Sequence, residues 1–258
     1  QRPLYMEYIK ELNKLSNQST NKISDVLRVL SSFRQLMAHP LLFTSTQAFI
    51  DGLQSKKEKV SRDKFNEQAD ERVKDKEDGQ SVDQIFDFIE LEDSFKIMFV
   101  IEMLRAVDDS PDNQKTIVVS YSTKILNVIE YFLKKEKKNF FRFEGSTKLS
   151  ERESIVERFS DCNNPSKVLL LCAKAGGTGL NLVSANRMIL VDVDWNPSND
   201  KQVMGRIYRE GQSREVYIYR LFVQNTIEQE ILIRQFEKEQ LSGLMLDSGE
   251  EFEQFRGY

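Results

Sequence analysis

The stretch QVMGRIYREGQ, Gln202 to Gln212, sets Arg206 and Arg209 three residues apart, with Gln202 four residues before Arg206. On a helix, that spacing brings the three side chains to one face. A solvated face is where most surface arginines belong. The chemical alternative is phosphate: a guanidinium is a planar fork that matches phosphate oxygens in pairs, and an arginine delivered to a transferring phosphoryl group is worth about 10³–10⁵ in rate. Upstream stands AKAGGTGLNL, in which Gly176, Gly177 and Gly179 let the backbone turn sharply and approach a ligand closely. It is not a dinucleotide fingerprint, because Leu182 occupies the place of the third glycine, and no glycine of the chain begins a G-x-x-x-x-G-K-[ST] phosphate loop. Between the two motifs runs VDVDWNPSNDKQ. Its Asp192 and Asp194 are not expected to work as an acid–base pair, and Trp195, the single tryptophan, fits either packing or the stacking of a nucleic-acid base.

These residues need a frame, and the hydropathy pattern supplies one. Short β-rich runs at 116–121, 140–143, 167–172, 187–193 and 215–222 alternate with amphipathic stretches starting near 124, 150 and 226, and with one that contains Gln202–Gln212. Strand and helix in this rhythm predict a parallel sheet with helices on both faces, an α/β fold of the doubly wound kind. Ligands of such sheets bind at the carboxyl ends of the strands, where the Gly-rich turn and the arginine stretch both fall. A helix cap is expected at Ser198 or Asn199, after Pro197.

Before the alternating region, residues 4–50 read as helices with apolar residues at steps of three and four. One of them is expected to start at Ser24–Asp25 and stop at His39–Pro40. Residues 56–79, KKEKVSRDKFNEQADERVKDKEDG, are a mixed-charge run too poor in apolar residues to form a core. The organisation expected is a helical protrusion over 1–92 with the charged insertion at 56–79, an α/β lobe over 93–240, and an acidic extension over 241–258. The N-terminus opens on Gln1, so a segment of a longer chain is expected.

The 258 residues carry a net charge of −4, so any phosphate contact is to be sought locally rather than in a global basic coat. Cys162 and Cys172 are not spaced as a zinc framework, and the single histidine, His39, has no neighbouring ligand cluster, so no metal site is expected. No apolar run approaches the roughly 20 residues needed to span a bilayer, and no membrane partner is expected.

Taken together, GGTGLNL, DVDWNP and Q-x-x-x-R-x-x-R-x-G-Q, in this order and spacing, resemble the SWI/SNF-type DNA-dependent ATPases, helicase-like motors of superfamily two. The resemblance is to their second, C-terminal RecA-like lobe, and it extends through LMAHPLLF, KTIVVSYST, RFEGS, ERFSD and YIYRLFVQNTIEQEILIRQ; RQFEKEQLSGLMLD resembles the homologous-recombination translocase branch. It implies a site for ATP with Mg²⁺ between two lobes, the first lobe holding the phosphate loop and most of the metal. Gln202, Arg206 and Arg209 would face the nucleotide, the arginines as fingers, and Gly177 and Gly179 would line the cleft. Ser120, Tyr121, Ser122, Gly145, Ser146, Thr147 and Lys174 would meet the backbone of double-stranded DNA without reading sequence, and Trp195 would belong to the same face. Implied partners are DNA, the first lobe of the same chain, and a recombinase filament or nucleosome; the implied location is the nucleus, and the lobe alone is expected to be inactive. The chain departs from the family pattern at Cys172 and Ala173, where hydroxyl residues are common, and at Gly205 and Tyr208, where an acidic residue and a histidine are common. Two other readings share some of these residues: a lobe of an RNA helicase, and a binding module that keeps the lobe only as a scaffold.

Overall fold

The computed structural model describes residues 90–109, 114–177 and 180–254, with 5, 6, 9, 34–39 and 42 of the N-terminal region; for Leu149, Gly176, Gly177 and 241–254 it describes the backbone alone. The expected charged insertion at 56–79 and most of the expected protrusion therefore lie outside the described residues. The elements run α1 (Phe95–Asp108), β1 (Thr116–Ser120), α2 (Thr123–Lys135), β2 (Phe140–Phe143), α3 (Leu149–Ser160), β3 (Val168–Cys172), β4 (Arg187–Leu190), α4 (Pro197–Met204), β5 (Tyr217–Arg220) and α5 (Ile227–Gln254).

All five strands form one parallel sheet in the order β2-β3-β1-β4-β5. Every residue of β1 and β3 is buried, as strands covered on both faces require; the edge strand β2 alternates, and β5 at the other edge is more open. Helix α2 buries Ile125, Leu126, Val128, Ile129, Phe132 and Leu133, a stripe at steps of one, three and four that packs against the middle strands. The sheet is the expected α/β frame. Some element limits differ from the expected ones, for local reasons. Strand β4 stops at Leu190 because the next carbonyl, Val191 O, accepts from Lys96 Nζ at 2.8 Å. Helix α5 continues without a break across residue 241, through residues read from the sequence as a separate acidic extension.

The chain leaves β1 toward β2 but leaves β4 toward β5, so its course reverses between these neighbouring strands, where a parallel sheet opens a crevice at the carboxyl ends. Here the protein fills that crevice itself. Asp192, 1% exposed, accepts from the Tyr121 amide at 3.0 and 3.2 Å, and burial pushes its carboxyl above the ordinary range. Lys96, also buried, donates to Glu228 Oε1 at 2.6 Å and so joins α1 to the first turn of α5. The N-terminal region meets the same end of the lobe: Tyr5 Oη accepts from Ile227 N at 2.9 Å, and Ser94 Oγ, which caps α1, donates to Ala38 O. The helical residues 34–38 end at His39, which precedes proline and is fully buried.

The edge strand β2 is pinned by Arg142. Its guanidinium donates to Glu130, to Asn127 at 2.7 Å, and to Glu144 at 2.8 and 3.2 Å. Hydrogen bonds from Arg142, and then from Ser146, hold the Glu144 carboxyl below its ordinary value of 4.5. A depressed carboxylate stabilises the fold above its unfolded-state pKa, and that contribution is lost as pH falls through the folded-state value. Thermal melts from pH 6 to pH 3 are therefore expected to show a falling transition in the wild type and a shallower fall in Arg142→Met.

Candidate functional site

Helix α4 carries the arginine stretch to the carboxyl edge of the sheet. Its cap is Asn196, whose Oδ1 accepts from Ser198 N at 3.1 Å, in place of the expected Ser198 or Asn199. Pro197 explains the shift: it sits at the first helical position, where its missing N–H is no loss, and that fixes the cap at Asn196, the residue just before it. Asp194 holds the turn into the helix, accepting from Asn196 N at 2.8 Å and Asn199 Nδ2 at 3.2 Å. Asp192 and Asp194 thus have different partners. Strand alternation would have put residues two apart on one face, so what separates them is the end of β4 at Leu190.

One expectation is corrected at this point. The helix ends at Met204, so Gln202, Arg206 and Arg209 do not share a single helical face. Exposed Gln202 lies in the last helical turn, and the chain continues through tightened turns in which Arg206 N donates to Val203 O at 3.0 Å and Ile207 N to Met204 O at 3.2 Å. Fully buried Ile207 anchors the turn between the two arginines. Arg206 is half-buried, and its Nε is buried without a hydrogen-bond partner. Burial, and then the positive charge of Arg209, push its guanidinium below the ordinary value. Neither arginine makes an ion pair among the described residues. Two neighbouring cations, one of them desolvated and unpaired, form a site that favours an anion.

The turn is closed by Gly211 and Gln212. Gly211 has φ +95°, a left-handed conformation that side chains disfavour, and it swings Gln212 back under the turn. The Gln212 amide then donates from Nε2 to Ala185 O at 2.8 Å, Val183 O at 3.1 Å and Ile207 O at 3.2 Å, while Oε1 accepts from Arg214 N at 3.0 Å. Leu182 N donates to Arg206 O at 3.1 Å. These bonds attach the arginine turn to the segment that follows the Gly-rich motif. Gly177 ends a short 3₁₀ turn, Ala173–Gly177, that packs on α4; Gly179 lies outside the described residues. Lys174 of that turn is exposed, between buried Ala173 and Ala175.

The remaining residues expected to face DNA divide into two groups. Ser120 and Tyr121 are corrected, because both side chains point into the lobe. Ser120 is fully buried, with its hydroxyl donating to Ser122 O at 3.2 Å and accepting from Ser122 N at 3.0 Å. Tyr121 is 8% exposed, with its hydroxyl donating to Asp200 Oδ1 at 2.6 Å. Half-buried Ser122 makes no side-chain cap bond at the start of α2. Gly145 and Ser146 are exposed, and a Cβ on Gly145 would meet nothing within 4 Å. The hydroxyls of Ser146 and Thr147 are both engaged with Glu144, at 2.8 and 3.0 Å. Arg152 is a basic group the motif reading missed: it donates to Thr147 O at 3.0 Å and lies over the Phe143 ring, 5.3 Å from its centroid. Trp195 is half-buried beside the Asp194 turn.

Asp200 is the larger omission. This carboxylate, 1% exposed, accepts from Tyr121 Oη, from Arg220 Nη2 at 2.9 Å and from Gln235 Nε2 at 3.0 Å, so it joins the end of β1, α4, β5 and α5 at one point. Gln235 Nε2 also donates to Asp194 O at 2.5 Å. No local sequence signal reveals this hub, because its side-chain partners lie 20–79 residues from Asp200.

Residues 96–211 match the family "Helicase conserved C-terminal domain". The chain is the C-terminal, RecA-like lobe of a SWI/SNF-type helicase-like ATPase. It is 32% identical over 259 aligned residues, 98% of its length, to "DNA repair and recombination protein RAD54-like" of Danio rerio, and 39% identical over 156 residues, 60% of its length, to the protein of that name from Gallus gallus. The alignments cover 32% and 21% of those relatives, so the chain spans no more than about a third of their length. In fold it is similar to the C-terminal part of the Fun30 ATPase domain, with a TM-score of 0.61 at 22% identity, covering 89% of this chain and 83% of that one. The family is one of helicase-like ATPases, and the all-parallel sheet is its lobe fold.

Replacing the hub carboxylate would strand Arg220 and the Tyr121 hydroxyl inside the lobe, and removing one partner of a buried pair costs about 3–5 kcal/mol. Asp200→Ala is expected to lower stability by that order in denaturant unfolding, and Tyr121→Phe by about 1 kcal/mol.

Proposed function

We propose that this chain is the second motor lobe of an ATP-driven translocase on double-stranded DNA that acts in DNA repair and recombination. The observation that carries the proposal is the pair of Arg206 and Arg209, two like charges near enough to act on each other and without a counter-charge among the described residues, one with a buried unpartnered Nε. Such a pair fits the terminal phosphate of a nucleotide triphosphate, whose oxygens supply the missing acceptors and the missing negative charge. Bound Mg²⁺-ATP would supply the phosphoryl group whose hydrolysis drives movement. No G-x-x-x-x-G-K-[ST] sequence occurs in the chain, and no group of carboxylate, histidine or cysteine side chains suited to a metal occurs among the described residues. The phosphate loop and the metal-binding acid are assigned to a first lobe.

In this reading Arg206 and Arg209 neutralise charge that develops on the phosphoryl oxygens, and exposed Gln202 reaches the nucleotide from the end of α4. Gly177 and Gly179 line the nucleotide cleft, while Lys174, Ser122 and the exposed turn at Gly145–Ser146 meet DNA phosphates, with Arg152 backing the turn and Trp195 on the same face. Contacts of this kind hold the strand without reading its sequence, which suits a motor. Closing of the two lobes on the nucleotide and their reopening after hydrolysis would alternate the grip. Names of the relatives support a role in repair and recombination; work in the nucleus, on a recombinase filament or on nucleosomes, is part of the proposal and rests on the family resemblance.

The test is steady-state ATP hydrolysis by the full-length protein with duplex DNA. Arg206→Ala and Arg209→Ala are each expected to lower kcat by about 10³ or more, and this 258-residue chain alone is expected to show no turnover. Wild-type rates in both variants would overturn the assignment, as would stimulation by RNA in preference to duplex DNA.

A further inference from the structure

Resting on the reading above, we infer that Gln212 is a positioning residue: its side-chain amide locks the arginine turn to the segment leaving the Gly-rich motif, so that the two move as one piece. Residues 205–212 contain neither helix nor strand, and a stretch of that kind keeps a fixed shape only if its polar groups are tied down by specific partners. The force acting to change that shape is also present. Arg206 and Arg209 repel each other, and Arg206 would be better hydrated if the turn swung outward. What opposes that relaxation is buried Ile207 and a small set of hydrogen bonds; of the three that tie the turn to residues 182–185, the Gln212 amide makes two.

The arrangement is directional. Both protons of Nε2 are committed to three carbonyls: Ile207 O lies inside the arginine turn, whereas Val183 O and Ala185 O lie in the segment continuing from the Gly-rich motif. The amide is therefore a bridge between two segments, and the Leu182 N to Arg206 O bond runs beside it. Its oxygen is held in turn by Arg214 N, which fixes the amide orientation. Gly211 at φ +95° lets the chain fold back far enough for the bridge to form. A change in the Gly-rich segment on the DNA side is thereby passed directly to the guanidinium groups on the nucleotide side, without crossing the sheet.

The chemistry of the bridge selects the variants. Gln212→Glu keeps length and shape but replaces a two-proton donor facing three carbonyls with a carboxylate; Gln212→Met keeps volume and loses both donor and acceptor. Misplacement of a reacting group by about 1 Å costs about 10²-fold. In the full-length protein, both variants are expected to lose between about tenfold and 10²-fold in DNA-stimulated kcat, with KM for ATP within about threefold of wild type and a reduced ratio of stimulated to basal rate. Combined with Arg206→Lys, neither is expected to add its full effect, because both changes act on one guanidinium. Full additivity in that pair, wild-type stimulation in both single variants, or loss of a cooperative melt in both, which would make Gln212 a determinant of folding, would each overturn the inference. If Arg206→Ala itself hydrolyses ATP normally, it is the motor assignment that fails; if Arg206→Ala is slow while Gln212→Glu and Gln212→Met are normal, only the bridge fails.

Discussion

Two neighbouring positive charges with no negative partner among the described residues are the constraint on which the rest of this lobe depends. Left alone, such groups separate and hydrate. Here Arg206 and Arg209 stay together because the backbone that carries them is fixed at both ends: by α4 with buried Val203 and Ile207 on one side, and by Gly211 and the Gln212 amide on the other. The lobe thus keeps a local electrostatic deficit that an incoming anion can relieve. Strain of this kind persists only where the surroundings over-determine the geometry.

That over-determination reaches back to the sheet. The crevice between β1 and β4, the default ligand position of a parallel sheet, is occupied by Asp192, the Tyr121 amide and the Lys96–Glu228 pair. Above it, Asp200 gathers Tyr121, Arg220 and Gln235, fixing α4 against β1, β5 and α5. Filling the crevice with the protein's own polar groups makes this end of the lobe a rigid platform. Arg206, Arg209 and Lys174 stand on turns at its rim. It is an arrangement suited to a lobe that completes a site with another lobe.

Much of this was legible in the sequence, and the parts that were not share a physical cause. The runs TIVVS and VLLLC announce buried parallel strands because apolar continuity is a local property. The arginine, glycine and DWNP motifs fixed the family because their order is also local. The family resemblance implied that Tyr121 faces DNA, yet its hydroxyl is claimed by Asp200, 79 residues away. The Gln212 bridge to Val183 and Ala185 spans 27–29 residues and is equally invisible to spacing. The helix limit at Met204 depends on turn bonds that propensity does not predict, so the arginines are presented by a turn where a helical face was expected.

The central claim is that the paired guanidiniums recognise a phosphoryl group in transfer rather than a resting nucleotide. The most direct measurement is the affinity of the full-length protein, with duplex DNA, for ADP–aluminium fluoride relative to ADP. Wild type is expected to prefer the transition-state mimic by about 10² or more, and Arg206→Ala to lose most of this preference while binding ADP as before. An undiminished preference in Arg206→Ala would contradict the claim.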